Sequence, residues 1–186
     1  MARIPLVTPE SIPANQRDAF DTLMRDRSDG FAGGPLSVMI HVPEMMRRGE
    51  HLRAYLRGED SSLPLEIREL AMILTAREMD CQYIWNAHAA MARKAGIRDD
   101  IVDALRERRE LTGLSPAEAA VVNYGREFFR THKVGQATFD AALSQFGVRG
   151  LVELTNLMGY YALLAFNVNA FGAELPMEAT ETPLPI

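Results

Sequence analysis

The sequence predicts an all-α protein, and three observations carry the prediction. Apolar residues recur at Ile67, Leu70, Ala71, Ile73, Leu74 and Met79, close to a helical period. Start and stop signals then punctuate the chain: Gly96 suits the position just past a helix end, Ser115-Pro116-Ala117-Glu118 has the form of a capping box, and Gly147 closes another segment. No segment shows sustained strand alternation.

Taken in order, Thr8-Pro9-Glu10 can cap a first turn, and Ile12, Phe20, Leu23 and Met24 give a helix ending near Ser28. Asp29 to Pro35 reads as a loop by its glycines. Pro43 restricts Val42 away from helical conformation, so a helix is expected from about Pro43 to Arg57. Gly58 to Ser62 ends it, and either serine can cap the next helix, expected over 64–79. Asp80 offers a side-chain cap to a helix from Cys81 to Gly96, so the two form an antiparallel hairpin. Arg98-Asp99-Asp100 opens a short helix with acidic residues where the dipole favours them, and Arg106 to Glu110 reads as its solvated end. The Ser115 box starts a helix reaching about Thr131, with His132 and Lys133 at its positive-favouring end. Thr138 to Phe146 is a short helix. Val148 to Phe171 is the longest, apolar around nearly its whole circumference, and so must bury against the centre of the fold or another subunit. The proline-rich tail has little capacity for regular structure: disorder is expected, with an arm to a neighbouring subunit as the alternative.

The hairpin carries the candidate chemistry. Cys81, Ile84, Trp85 and His88 fall at i, i+3, i+4 and i+7 and share one helix face. At a helix start, unpaired backbone N–H groups favour a thiolate at Cys81, whereas the neighbouring Asp80 opposes it; a small buried hydrophobe is the plain alternative. His88, among alanines, either finds a core partner or serves a pocket. Glu69 can be brought back beside it if the turn geometry allows, and a carboxylate on an imidazole fixes its tautomer and raises its basicity. His41, just before a helix start, suits a structural hydrogen bond rather than a catalytic role.

Composition bounds the partners. A chain of 186 residues, 47% hydrophobic, is long enough for one domain with a sizeable core. A single domain over 1–186 is expected, with an N-terminal helix within 1–28 and an extended tail over 174–186. The net charge of −5 makes a nucleic-acid partner unfavourable. One cysteine excludes a disulfide framework and suits a reducing, cytoplasmic setting. The N-terminus lacks the apolar run of a signal peptide, and no apolar stretch is long enough for a membrane span. No phosphate-binding glycine loop and no metal-ligand spacing is present, so no cofactor and no metal are expected.

The pattern Glu69, Cys81, Tyr83, Trp85, His88 and Ala92-Arg93-Lys94-Ala95-Gly96 resembles the carboxymuconolactone decarboxylase family, which includes the AhpD-type alkylhydroperoxidases. His41-Val42-Pro43-Glu44, Leu63-Pro64 and Arg68 extend the match upstream, and Ile101 to Leu105 extend it downstream. The resemblance implies an AhpD-like helical fold round a central hairpin, and a homo-oligomer, trimer or hexamer. It matches Glu69 to the family glutamate, Cys81 to the first cysteine of a Cys-x-x-Cys pair and His88 to the final histidine. Tyr83 stands where an intervening histidine would be, and Ile84 replaces the second cysteine, so an intramolecular disulfide cycle is impossible. Tyr83 with Trp85 resembles the Tyr-Glu-Trp-x-x-His variant of decarboxylase-like members, with Ile84 in place of that glutamate; Trp85, Ile84 and His41 are expected to bind substrate.

Three functions follow as expectations. One is a cofactor-independent acid/base enzyme, decarboxylase or lyase in type, acting on a small carboxylated, lactone or carbonyl substrate. In it His88 moves the proton, Glu69 orients it and Tyr83 bonds developing oxyanion charge. The second is a peroxidase using Cys81 alone, which lacks a resolving partner. The third is a non-catalytic helical binding or assembly module, which requires the Glu69–His88 pair to be absent or sealed off.

Overall fold

The computed structural model describes residues 3–26, 33–173 and 179–186. Among them are eight α-helices and no strand: α1 (Arg17–Asp26), α2 (Gly34–Met39), α3 (Pro43–Arg57), α4 (Leu65–Glu78), α5 (Gln82–Lys94), α6 (Asp99–Arg106), α7 (Pro116–Thr131) and α8 (Gln136–Phe171). Short 3-10 turns at Pro9–Ser11 and Ala14–Gln16 precede α1, so Ile12 lies before that helix rather than in it. The expected helix end near Ser28 and the loop from Asp29 to residue 32 lie outside the described residues.

Helix α4 occupies the centre. Leu70, Ala71, Met72, Ile73, Leu74 and Ala76 are all buried, so the helix is apolar on every side through its middle and packs against α5, α7 and α8 together. Gly125 of α7 makes that contact close, since a Cβ there would stand 2.6 Å from Cδ2 of Leu74. The antiparallel hairpin is present, with one correction at its turn. Asp80 adopts the left-handed conformation at φ 46°, unlike the extended backbone of a helix cap, and Cys81 is the N-cap of α5. The Asp80 carboxylate instead faces the Arg77 and Arg108 guanidinium groups, while Asn169 of α8 donates to the Met79 carbonyl at 2.8 Å. Helix α8 and the segment just after α6 therefore pin the turn.

The serines before α4 are a second correction. Pro64 is the N-cap, and Ser61 and Ser62 point to Glu153 on α8. The capping box at Ser115 and Glu118 forms as expected, and His132 closes α7 in the left-handed conformation. Gly147, at φ 64° and ψ 178°, breaks α8 where the sequence places the boundary between its two segments. After that break Leu154, Leu157, Tyr161, Ala165 and Val168 are buried, while Val148, Val152, Leu163 and Phe166 are exposed. The apolar circumference is thus half covered within one chain.

The tail lies partly outside the described residues, at 174–178. Beyond them it docks along α5, where the Trp85 indole donates to the Thr182 carbonyl at 3.0 Å, Thr180 N–H donates to Asn86 at 2.9 Å and Arg93 pairs with Glu181. Leu184 is buried, and its N–H donates to the Gln82 side chain. The expectation of disorder fails for residues 179–186 because α5 presents polar side chains that satisfy the tail's backbone groups.

Glu153 joins α8 to the α3–α4 connection. Only 5% exposed, it accepts hydrogen bonds from the Tyr55 hydroxyl, Ser62 N–H and Ser62 hydroxyl, each at 2.7 Å, and from Arg149 at 2.9 Å. Burial pushes its pKa up, but these donors outweigh burial and hold the carboxyl at about 2, below its ordinary 4.5. A carboxyl depressed in the folded state contributes stability that is present above its unfolded pKa and is lost as pH falls through the folded one. Wild type should therefore lose about 3 kcal/mol from this group between pH 4.5 and 2. Urea unfolding at several pH values tests this: the stability gap between wild type and Glu153→Gln should narrow on acidification, and a constant gap would contradict it.

Candidate active site

The hairpin sets Glu69 and His88 opposite each other, eleven residues before and eight residues after Asp80 at the turn. Glu69 Oε2 and His88 Nδ1 are 2.8 Å apart, with the residues 3% and 5% exposed. A carboxylate only accepts, so Nδ1 carries the proton, which leaves Nε2 to accept when the imidazole is neutral and to donate when it is protonated. That position is occupied too: the Tyr161 hydroxyl lies 3.2 Å from Nε2, with its ring edge-on to the imidazole at 5.1 Å. Glu69, His88 and Tyr161 thus form a continuous hydrogen-bonded row from α4 through α5 to α8.

Tyr161 was not among the residues that the sequence pointed to. The available signal was its phenol within an otherwise apolar stretch of α8, since a buried tyrosine hydroxyl needs a partner. Burial pushes its pKa well up, an effect the nearby charge of Arg57 opposes and that of Glu69 reinforces. It is accordingly a neutral hydroxyl in the physiological range.

The row ends at a cavity of about 190 Å³, lined by Tyr83, Ile84, His88, Tyr161, Arg53 and Arg57 among others. Pro35 and Leu36 of α2 form an apolar wall. Gly34 lets that wall approach: a Cβ there would overlap the Tyr83 phenol, and its φ of 66° already favours glycine. The Tyr83 pKa is raised by burial, so two neutral phenols face the cavity.

The remaining candidates lie elsewhere. Cys81 is 0% exposed and does not line the cavity. Burial raises its thiol pKa, and the N–H groups of Ile84 and Tyr83 only partly offset this. Trp85 is buried and directed at the tail, not at the cavity. His41 places Nε2 3.2 Å from the Pro5 carbonyl, away from the cavity lining. Of the seven sequence-derived candidates, then, His88, Tyr83 and Ile84 line the cavity and Glu69 stands directly behind His88. No group of three or more His, Cys, Asp or Glu side chains placed to hold a metal occurs among the described residues, and no helix is long and apolar enough to cross a membrane.

Residues 43–127 match the model of the carboxymuconolactone decarboxylase family. No curated protein matches. Among solved structures, an alkylhydroperoxidase AhpD core from Ralstonia eutropha JMP134, an uncharacterized peroxidase-related protein, superposes with a TM-score of 0.72 at 18% identity, covering 95% of this chain and 93% of that one. A peroxidase-related protein from Silicibacter sp. TM1040 gives 0.73 at 16% identity, over 96% and 93%. The debrominase Bmp8, in complex with 2,3,4-tribromopyrrole, gives 0.65 at 13% identity, over 95% and 92%. At such identities the likeness is one of fold.

Enclosure of the thiol yields a direct expectation. Dithionitrobenzoate should modify Cys81 in the native protein at least about 100-fold more slowly than in urea, because reaction waits on opening of the α4–α5 hairpin. Prompt native modification, read by absorbance of the released thiolate, would contradict the burial.

Proposed function

We propose that this chain, carboxymuconolactone decarboxylase/AhpD-like across residues 43–127, is a cofactor-independent acid/base enzyme of decarboxylase or lyase type acting on a small carboxylated, lactone or carbonyl substrate. The observation that carries the reading is the buried Glu69–His88 hydrogen bond at the edge of a cavity. In a decarboxylation the C–CO₂ bond breaks, and its electron pair passes into an adjacent carbonyl. The resulting oxyanion accepts a hydrogen bond from Tyr83, whose raised pKa keeps it a donor. Carbon is then protonated through the row: the Tyr161 hydroxyl gives its proton to carbon while receiving one from Nε2–H of His88, which takes that proton from solvent beforehand. Glu69, accepting from Nδ1–H, orients the imidazole and balances the positive charge it carries until the proton leaves Nε2.

Two observations weigh against the other readings. A thiol with no exposed surface and a raised pKa is poorly suited to attack peroxide. A sealed or missing pair, which a non-catalytic module requires, is at odds with the cavity beside His88.

The acid/base reading is tested with His88→Gln, assayed for carbon dioxide release from carboxymuconolactone and from a panel of small β-keto acids. Turnover should fall about 100-fold or more while the melting temperature stays within a few degrees. Equal rates in the two proteins would refute it.

The reading extends to a homo-oligomer, trimer or hexamer. Val152 and Phe166 are 55% and 67% exposed, and with Val148 and Leu163 they form an apolar stripe along α8 that a second copy would cover. Sedimentation velocity should give more than one chain per particle, and Phe166→Glu should shift the particle toward monomer; a monomeric wild type would exclude the assembly.

A further inference from the structure

The cavity beside His88 holds two guanidinium groups, and they stand in different circumstances. Arg53 is bound by Glu50, one turn earlier on α3, through contacts of 2.8 to 3.1 Å. Arg57, one further turn along the same helix, is half-buried and lines the cavity, yet its guanidinium has no hydrogen bond or ion pair among the described residues. Its backbone is held in place: Arg68, the neighbour of Glu69 on α4, donates to the carbonyls of Arg57 and Gly58, the latter at 2.7 Å. The peptide that carries Arg57 is therefore tied to the helix that carries Glu69.

A structural role accounts for part of this. Arg57 lies in the last turn of α3, where a cation complements the helix dipole. The dipole, however, takes up none of the five N–H donors of a guanidinium, so they remain available to a ligand in the cavity. Glu69, the carboxylate behind His88, is occupied by that imidazole. Everything else polar on the lining, Tyr83, Tyr161 and His88, is neutral or already engaged.

We infer that Arg57 is the specificity-determining residue of the cavity, binding the carboxylate of an anionic substrate through its planar guanidinium and so aiming the remainder of that substrate at Tyr161 and His88. The inference rests on the acid/base reading of the same cavity and narrows its substrate to the carboxylated class. A guanidinium matches a carboxylate in a two-pronged arrangement, and Arg53, neutralised by Glu50, does not compete for the ligand. At about 190 Å³ the cavity accommodates a ligand portion of a few carbon atoms or one small ring.

Binding tests this without turnover. Benzoate and its neutral counterpart benzamide are titrated into the full chain by calorimetry, at low salt and neutral pH. Benzoate should bind wild type at least about tenfold more tightly than benzamide does, and Arg57→Gln should weaken benzoate by about tenfold while leaving benzamide unchanged. Arg57→Lys, which keeps the charge at the end of α3 but not the fork, should fall between the two. Equal affinities for the two ligands on wild type, or undiminished benzoate binding by Arg57→Gln, would overturn the inference; the first comparison needs no variant to fold. His88→Gln separates the two claims. It should keep the preference for benzoate over benzamide that Arg57 confers while losing turnover, so loss of the Arg57 effect with His88-dependent turnover intact strikes only the anchor, and the converse strikes only the acid/base reading.

Discussion

The structure turns on one buried polar contact, the hydrogen bond between Glu69 and His88. Neither group has appreciable solvent, and a buried carboxylate or imidazole without a partner would cost several kcal/mol. Their pairing thus sets a strict condition on how α4 and α5 lie against each other. The condition is met at the turn, where Asp80 takes a left-handed conformation, Arg108 and Arg77 hold its carboxylate, and Asn169 holds the carbonyl of Met79. A slide of one helix past the other by a single turn would move His88 about 5 Å, beyond hydrogen-bond reach.

Around that contact, the apolar body of the protein acts as a clamp. α4 is enclosed by α5, α7 and α8, so its register cannot drift without opening the core. Polar links at the periphery reinforce the same arrangement. Glu153 fastens α8 to the segment before α4, Arg68 fastens the end of α3 to α4, and the tail fastens to the outward side of α5. Each link reaches an element that contributes to the cavity, which is how residues from four helices come to face one small space.

The departures from the dithiol pattern have a coherent physical outcome. With Ile84 in place of a second cysteine, the cavity wall at that position is apolar, and the remaining thiol at Cys81 is covered completely. Tyr83 supplies a phenol whose close seating depends on the missing side chain of Gly34. What is left in contact with the cavity is proton-transfer and anion-binding chemistry: two phenols, an imidazole with a carboxylate behind it, and two guanidinium groups.

The sequence alone determined the helical class, because the 3.6-residue period, the Ser115 capping box and Gly147 are local signals that packing did not override. It also singled out Glu69 and His88, through their residue types and their places on adjoining helices. It misassigned Asp80 and the two serines as caps because their side chains found ionic or long-range partners, which no local window contains. Tyr161 and Arg57 lie 73 residues after and 31 before His88 respectively, and nothing near either of them in the chain marks it as part of a site. Only the tertiary structure decided that an α8 phenol would close the row and an α3 guanidinium would face it, since side-chain proximity between distant helices is set by core packing rather than by spacing along the chain.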